Sequence, residues 1–243
     1  MRDGRLDIKA LASSSEGNAY LINDGKTNLL LECGIPFNEL KVKTNFFTPK
    51  IDGCIISHSH KDHMKEPTKL MNIGITCYMS NASLADLLSS NKAEDIMYRT
   101  VEVKHNQRFS VGTFDILPLE MKHDVYCLGY YLYSNVTKES VFFATDTYYI
   151  PYKLPSMDYI MVEANYDINV LNQRIIDGYI DPAMKSRLVK SHMEISNTIA
   201  WLLNQDLTKT RKIFLLHLSS GSSRGEDFKR RVIEGTGVLV EVC

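Results

Sequence analysis

Residues 58–63 read His58-Ser59-His60-Lys61-Asp62-His63, so three of the chain's 7 histidines and a carboxylate share one short segment. A solvated polar loop would explain this without any chemistry. A metal site explains it better, because neutral imidazole suits Zn²⁺, Fe or Mn and a carboxylate adds a hard oxygen donor. His58 and His60 are two apart, and in an extended segment they point the same way. Asp62 and His63 follow as the chain turns and can face a second point. One loop can therefore serve two adjacent cations.

Further ligands should then stand at other strand ends, and three polar residues do. His123 follows the apolar run Thr113–Met121, Asp146 follows Val141–Ala144, and His217 follows Lys212–Leu216. Two other segments carry chemistry. Glu163 lies in Met161-Val162-Glu163-Ala164-Asn165-Tyr166-Asp167, and His192 lies in Ser191-His192-Met193-Glu194. Taken singly, the first is a solvated strand end and the second a residue at a helix N-terminus. As a pair, the carboxylate would orient the imidazole and raise its pKa, and the imidazolium would protonate a leaving alkoxide. His105, in the polar turn Lys104-His105-Asn106-Gln107, reads as a surface residue.

The elements that must position these groups begin as short strands. Leu6–Ala12, Ala19–Asn23 and Thr27–Cys33 are apolar runs separated by polar turns, the second with an Asp-Gly hairpin signal. Gly53–Ser57 is a buried strand that ends at His58. A helix near Glu66–Met71, a strand Ile75–Met79 and a helix Ala82–Ser90 follow. The middle returns to strands at Val101–Val103, Thr113–Met121, Leu128–Tyr133, Val141–Ala144 and Tyr159–Val162. Helices are expected at about Asp167–Ile176, Ser196–Gln205 and Glu226–Glu234, with strands at Lys212–Leu216 and Val238–Val242. Strand ladders with helices in both halves suggest two sheets face to face with helices outside.

The composition is that of an ordinary globular protein of 243 residues, with 44% apolar and 23% charged residues. A net charge of −1 provides no global field to collect nucleic acid or hold an anionic membrane. Local basic clusters (Lys185, Arg187, Lys190; Lys209, Arg211, Lys212; Arg224, Lys229, Arg230, Arg231) read as solvated helix faces and helix ends. Five scattered cysteines show no Cys-x-x-Cys spacing, and Cys33, Cys54 and Cys77 lie in apolar runs as core residues. With no leader-like stretch at the start and no run of membrane-spanning length, the expected setting is the cytoplasm.

The ligand set resembles the metallo-β-lactamase superfamily, whose pattern is His-x-His-x-Asp-His followed by a later His, Asp and His. The resemblance covers nearly the whole chain. It implies an α/β fold, the αββα sandwich of two mixed β-sheets flanked by helices, as a single domain over residues 1–243. It also implies two divalent metal ions, Zn²⁺ first and Mn²⁺ as the alternative. Carried over by position, His58, His60 and His123 would bind one metal, Asp62, His63 and His217 the second, and Asp146 would bridge them. Two cations sharing a hydroxide lower its pKa and clamp an in-line displacement at phosphorus. Asp62, His192 and Glu163 are the catalytic candidates.

Within the superfamily, tRNase Z enzymes carry a Glu in His-Glu-Ala-Thr and a later His as an acid dyad. Val162-Glu163-Ala164-Asn165 is similar to the first without its leading His, and His192 to the second. The YycJ/WalJ-type proteins are more similar still. Their Gly/Ser-rich turn is matched by Leu11-Ala12-Ser13-Ser14-Ser15-Glu16-Gly17-Asn18, their Glu-Ala-Asn-(His/Tyr)-Asp run by residues 163–167, and their His-Leu-Ser ending by His217-Leu218-Ser219. Similar chains occur in phages and prophages of Gram-positive bacteria, and phage members of the anti-Pycsar type cleave cyclic nucleotides. The chain departs from these patterns at Glu32, where the superfamily usually braces the metal loop with Asp. It departs again after His192, where Met193-Glu194-Ile195-Ser196 replaces a tighter turn, and it lacks a Gly/Pro-rich tRNA-gripping arm.

Thioester hydrolases and β-lactamases do not need the Glu163/His192 pair, which leaves phosphodiesters. The near-neutral charge leans slightly to a small 3′,5′-cyclic nucleotide, which needs a stacking ring; of the tyrosines near the rim, Tyr126, Tyr130, Tyr148, Tyr149 and Tyr166, most read as packing residues. A YycJ/WalJ-like DNA exonuclease is the alternative. A carbon-centred (thio)ester hydrolase and a metal-binding non-enzyme rank behind both. The expected partner is a nucleotide or nucleic acid, with no membrane and a homodimer as an option. A phage origin would place the protein in the host cytoplasm.

Overall fold

A computed structural model describes residues 4–90, 98–219 and 221–243. They fall into two compact units, Met1–Glu120 with Tyr130–Glu139, and Met121–Gly129 with Ser140–Cys243. The first unit opens with β1 (Asp7–Ser14) and β2 (Gly17–Asn23), an antiparallel pair in which Ser14 faces Gly17 across the turn. β3 (Asn28–Leu31) pairs antiparallel with β2. The turn between them is closed by Asp24, whose Oδ1 accepts the Lys26 and Thr27 amides. Gly25 in that turn has φ +93°, which glycine tolerates without strain. Then β3, β4 (Gly53–Ile55), β5 (Cys77–Met79) and β6 (Thr100–Glu102) run parallel. The connections carry α1 (Phe37–Lys43), α2 (Pro67–Asn72) and α3 (Asn81–Ser90). Cys33, Cys54 and Cys77 pack in this unit's core with Leu30, Ile56 and Leu70, as the apolar runs predicted.

The sheet continues the order β1-β2-β3-β4-β5-β6, and a second sheet has the order β13-β12-β11-β10-β9-β8-β7. Its members are β7 (Phe109–Val111), β8 (Phe114–Met121), β9 (Cys127–Ser134), β10 (Ser140–Ala144), β11 (Tyr159–Glu163), β12 (Lys212–Leu216) and β13 (Leu239–Val242). β10 to β13 are parallel, and β7 and β8 antiparallel, so this sheet is mixed as well. Strands β10 and β11 are buried along their whole length, which matches the apolar runs Val141–Ala144 and Tyr159–Val162 that form most of them.

The helices of the second unit are α4 (Ile168–Ile176), α5 (Pro182–Ser191), α6 (Ile195–Leu203) and α7 (Gly225–Thr236). Each of the first three is started by an acidic N-cap: Asp167, Asp181 and Glu194 accept the amides of the first turn. Asp167 also receives Arg231 of α7 at 2.6 Å. The architecture is the expected α/β fold of two mixed β-sheets flanked by helices. The sequence reading missed α1, α5 and β7. No helix among the described residues is long and apolar enough to cross a membrane.

Candidate metal centre

The ligand loop of the first unit is held by three devices. Glu32 directly follows β3 and is fully buried. Its Oε1 accepts the Ser57 amide at 3.0 Å and its Oε2 lies 3.5 Å from His63 Nδ1. The longer side chain therefore does brace both ends of the His58–His63 loop, from a backbone with φ +64°. Burial pushes the Glu32 carboxyl up, partly offset by His63 and Ser57. The second device is the Gly/Ser-rich turn: the Asn18 amide donates to the Asp62 carbonyl at 2.7 Å, and Asn18 Nδ2 lies 3.2 Å from His63 Nε2. The third is Gly34, where a Cβ would stand 1.6 Å from the Asp62 carbonyl oxygen. Only glycine lets the chain pass there. Tyr130, a rim candidate in the sequence, is instead buried and donates to the Ile56 carbonyl at 2.6 Å at the foot of the loop.

Within the loop, the His58 ring centroid is 4.7 Å from that of His60 and 4.3 Å from that of His63. His58 Nδ1 bonds the Ser57 hydroxyl at 2.8 Å, and His63 Nε2 is 3.3 Å from Asp62 Oδ2.

In the second unit, parallel β10, β11 and β12 bring Asp146, Glu163 and His217 to one edge, the carboxyl ends of the strands. Asp146 and His217 stand just past their strands with φ +47° and +54°. Such values are uncommon outside glycine and mark strained backbone of the kind found at functional sites. Asp146 Oδ1 lies 3.6 Å from His217 Nε2, and Asp146 Oδ2 lies 3.8 Å from His123 Nε2. His123 Nδ1 donates to the Ser191 carbonyl at 2.8 Å, which fixes its tautomer and turns Nε2 towards the carboxylates. Asp124, the next residue, places Oδ1 2.9 Å from the same Nε2.

Glu163 is also fully buried. Its Oε2 accepts the Thr147 and Met193 amides at 2.9 and 3.2 Å, and its Oε1 accepts His192 Nδ1–H at 2.7 Å. A carboxylate only accepts, so the Nδ1 proton of His192 is fixed and Nε2 is the outward nitrogen. Burial pushes Glu163 up, but the charge and hydrogen bond of His192, with the His217 bond, hold it below the usual glutamate value. For His192, burial works downward and is outweighed by Glu163 and Asp146, so it is raised.

The donor chemistry fits a cation. One ligand atom each from Asp146, Glu163, His192 and His217 can be chosen so that all lie within 4.8 Å of one another. Two buried carboxylates this close to each other need positive charge beside them. In His63, His123 and His217, Nδ1 faces a protein acceptor (Glu32 Oε2, the Ser191 carbonyl and Glu163 Oε1), the outer contact that metal-ligating histidines commonly make.

A family model described as β-lactamase superfamily domain matches residues 27–218. The chain belongs to this superfamily. As a member it is a hydrolase with a His/Asp cluster suited to metal ions. Among curated proteins it is 24% identical over 222 residues to exodeoxyribonuclease WalJ of Streptococcus pneumoniae, covering 86% of this chain and 80% of that one. It is 22% identical over 240 residues to exodeoxyribonuclease YycJ of Bacillus anthracis, covering 91% and 85%. Among solved structures, the metallo-β-lactamase-fold protein YhfI from Bacillus subtilis matches with TM-score 0.75 at 17% identity, covering 98% of this chain and 95% of that one.

Among the remaining sequence expectations, one needs correction. His105 is not a plain surface residue: it is half-buried and its Nδ1 accepts the Glu120 amide at 3.0 Å. Tyr166 is buried, and its hydroxyl is pushed up to about 12 by burial and the nearby Glu194 and Glu163. Of the basic clusters, Arg230 and Arg231 form ion pairs within and beside α7, and Lys209 pairs with Asp158. The segment after His192 is an N-cap, with Glu194 starting α6. Asp124 and Asn165 were not singled out, although each is next to or near a candidate ligand.

Proposed function

We propose that this chain is a metal-dependent phosphodiesterase whose substrate is a DNA strand, cleaved in the manner of an exonuclease. The observation that carries the phosphodiesterase reading is the His192–Glu163 pair at 2.7 Å, with His192 Nδ1 only 3.9 Å from Asp146. The names of the two curated relatives, each matched over most of both chains, support DNA over a cyclic nucleotide. The proposal extends to the ligand set that the superfamily pattern implies. His58, His60 and His123 would hold one divalent ion, Asp62, His63 and His217 a second, with Asp146 shared.

Divalent ions bound there would supply polarisation of the phosphoryl oxygens and an activated water. The chain's own residues supply the rest. A leaving sugar oxygen must take a proton or remain a poor leaving group. His192 can give it from Nε2, because Glu163 holds Nδ1–H and favours the charged ring. The amides of Thr147 and Met193 hold the other oxygen of Glu163, so the pair is fixed before substrate arrives.

The test is leaving-group dependence. His192→Ala should keep its metal and lose about 10²–10⁴-fold on DNA. The loss should shrink on a p-nitrophenyl phosphodiester, whose leaving group needs no proton. Equal losses on both would refute the acid role. Substrate class is read from salt: DNA binding should weaken steeply as salt rises, because phosphate contacts release counterions. Turnover of 3′,5′-cyclic mononucleotides without DNA degradation would restore the small-nucleotide preference.

A further inference from the structure

The second unit carries a groove that none of the chemistry above uses. It has a volume of about 550 Å³ and runs between α6 and the segment 148–153. Such a volume lies in the range of small-ligand sites. One wall is a stripe of α6 and its lead-in, Met193, Asn197, Trp201 and Asn204, which the helical repeat puts on one face. The other wall carries Tyr148 and Tyr149, which are 41% and 57% exposed.

The groove is preformed. Trp201 Nε1 donates to the Tyr152 carbonyl at 3.1 Å, and Gln205 Oε1 accepts the Leu154 amide at 3.0 Å, so the strap is tied to the end of α6. At the other end Thr147 Oγ1 donates to the Tyr149 carbonyl at 2.8 Å. That end is also built onto the proposed acid. Tyr148 follows Asp146 by two residues, Met193 follows His192 directly, and the amides of Thr147 and Met193 both bond Glu163.

The lining selects an occupant. Lys153 is the single cation in it, so a phosphate chain has little to bind. Aromatic rings, an apolar floor and two carboxamides suit a flat heterocycle with hydrogen-bonding edges: rings stack any base, and Asn offers a paired donor and acceptor to a base edge. We infer that this groove is a nucleobase subsite, holding the base of the nucleotide whose phosphodiester lies at the metal ligands. This rests on the phosphodiesterase reading and gives that site its specificity element. Stacking of this kind contributes about 5–150-fold per base.

The chain's 1 tryptophan lies in the groove, so binding has its own optical signal. Metal-loaded protein is titrated with thymidine 5′-monophosphate and with 2-deoxyribose 5-phosphate, which differ only in the base. Quenching by the first and much weaker quenching by the second is expected. Equal quenching, or none by either, overturns the inference. In kinetics, the preference in kcat/KM for thymidine 5′-(p-nitrophenyl phosphate) over methyl p-nitrophenyl phosphate should fall by about 5–150-fold in Tyr149→Ala. It should also fall in Asn197→Ala, where alanine suits the helix. An unchanged preference in both variants overturns the inference. A protein that hydrolyses neither ester but shows base-dependent quenching would sink the phosphodiesterase reading and leave the groove standing.

Discussion

Glu32 offers the sharpest stability test, because one buried carboxylate holds both ends of the ligand loop. Glu32→Ala removes the acceptor of the Ser57 amide, 3.0 Å away, and the partner of His63 Nδ1 at 3.5 Å. Ser57 is fully buried, so its N–H finds no water in exchange. Breaking a buried charged arrangement of this kind costs about 3–5 kcal/mol. The backbone adds a second handle. At φ +64° an L-residue is strained, so Glu32→Gly should be about 1 kcal/mol more stable than Glu32→Ala even though both lack the carboxylate. Glu32→Asp, one methylene shorter, should recover only part of the loss. Urea unfolding of chelator-treated protein reads this without metal. With a slope of about 1–3 kcal/mol/M, the alanine midpoint should fall by roughly 1–5 M. Metal affinity should fall by about 10–100-fold as well. An alanine variant with an unchanged midpoint and unchanged metal uptake would refute the bracing role.

Other outcomes follow from the same contacts. Gly34→Ala drives a methyl into the Asp62 carbonyl, so stability should drop by about 1–3 kcal/mol or more in the same urea assay, with weaker metal uptake. Asp146→Ala should abolish phosphodiester cleavage while circular dichroism remains that of the wild type, since Asp146 lies beyond the end of its strand. Asp158 is held below the usual aspartate value: burial raises it, and the Ser140 amide and Lys209 outweigh that. A depressed folded pKa contributes stability above the unfolded value and loses it as pH falls through the folded one. The stability gap between wild type and Asp158→Asn should therefore be flat at neutral pH and close in strong acid, as followed by thermal unfolding.

Much of the site could be read from the sequence because its ligands follow apolar strands: His58 after β4, Asp146 after β10 and His217 after β12. What could not be read was backbone conformation. Glu32, Asp146 and His217 adopt left-handed φ without glycine, and no residue type announces that. The left-handed backbone at Glu32 sets the direction from which the longer side chain reaches Ser57 and His63. The missed elements are those with little to bury. Among the residues of α1 only Leu40 is buried, and of α5 only Ser191, so neither shows an apolar stripe. The Asp181-Pro182 start of α5 was nevertheless a usable N-terminal signal. The groove was invisible for another reason: its second wall is an irregular strap whose position depends on tertiary hydrogen bonds from Trp201 and Gln205.

The central claim is that the chain's His and Asp ligands hold two ions. Elemental analysis of protein purified without chelator tests it most directly, with His60→Ala and Asp146→Ala measured beside the wild type. The account predicts close to two transition-metal ions per wild-type chain and fewer in both variants. A wild-type value near zero, with no uptake on titration with Zn²⁺ or Mn²⁺, would contradict it.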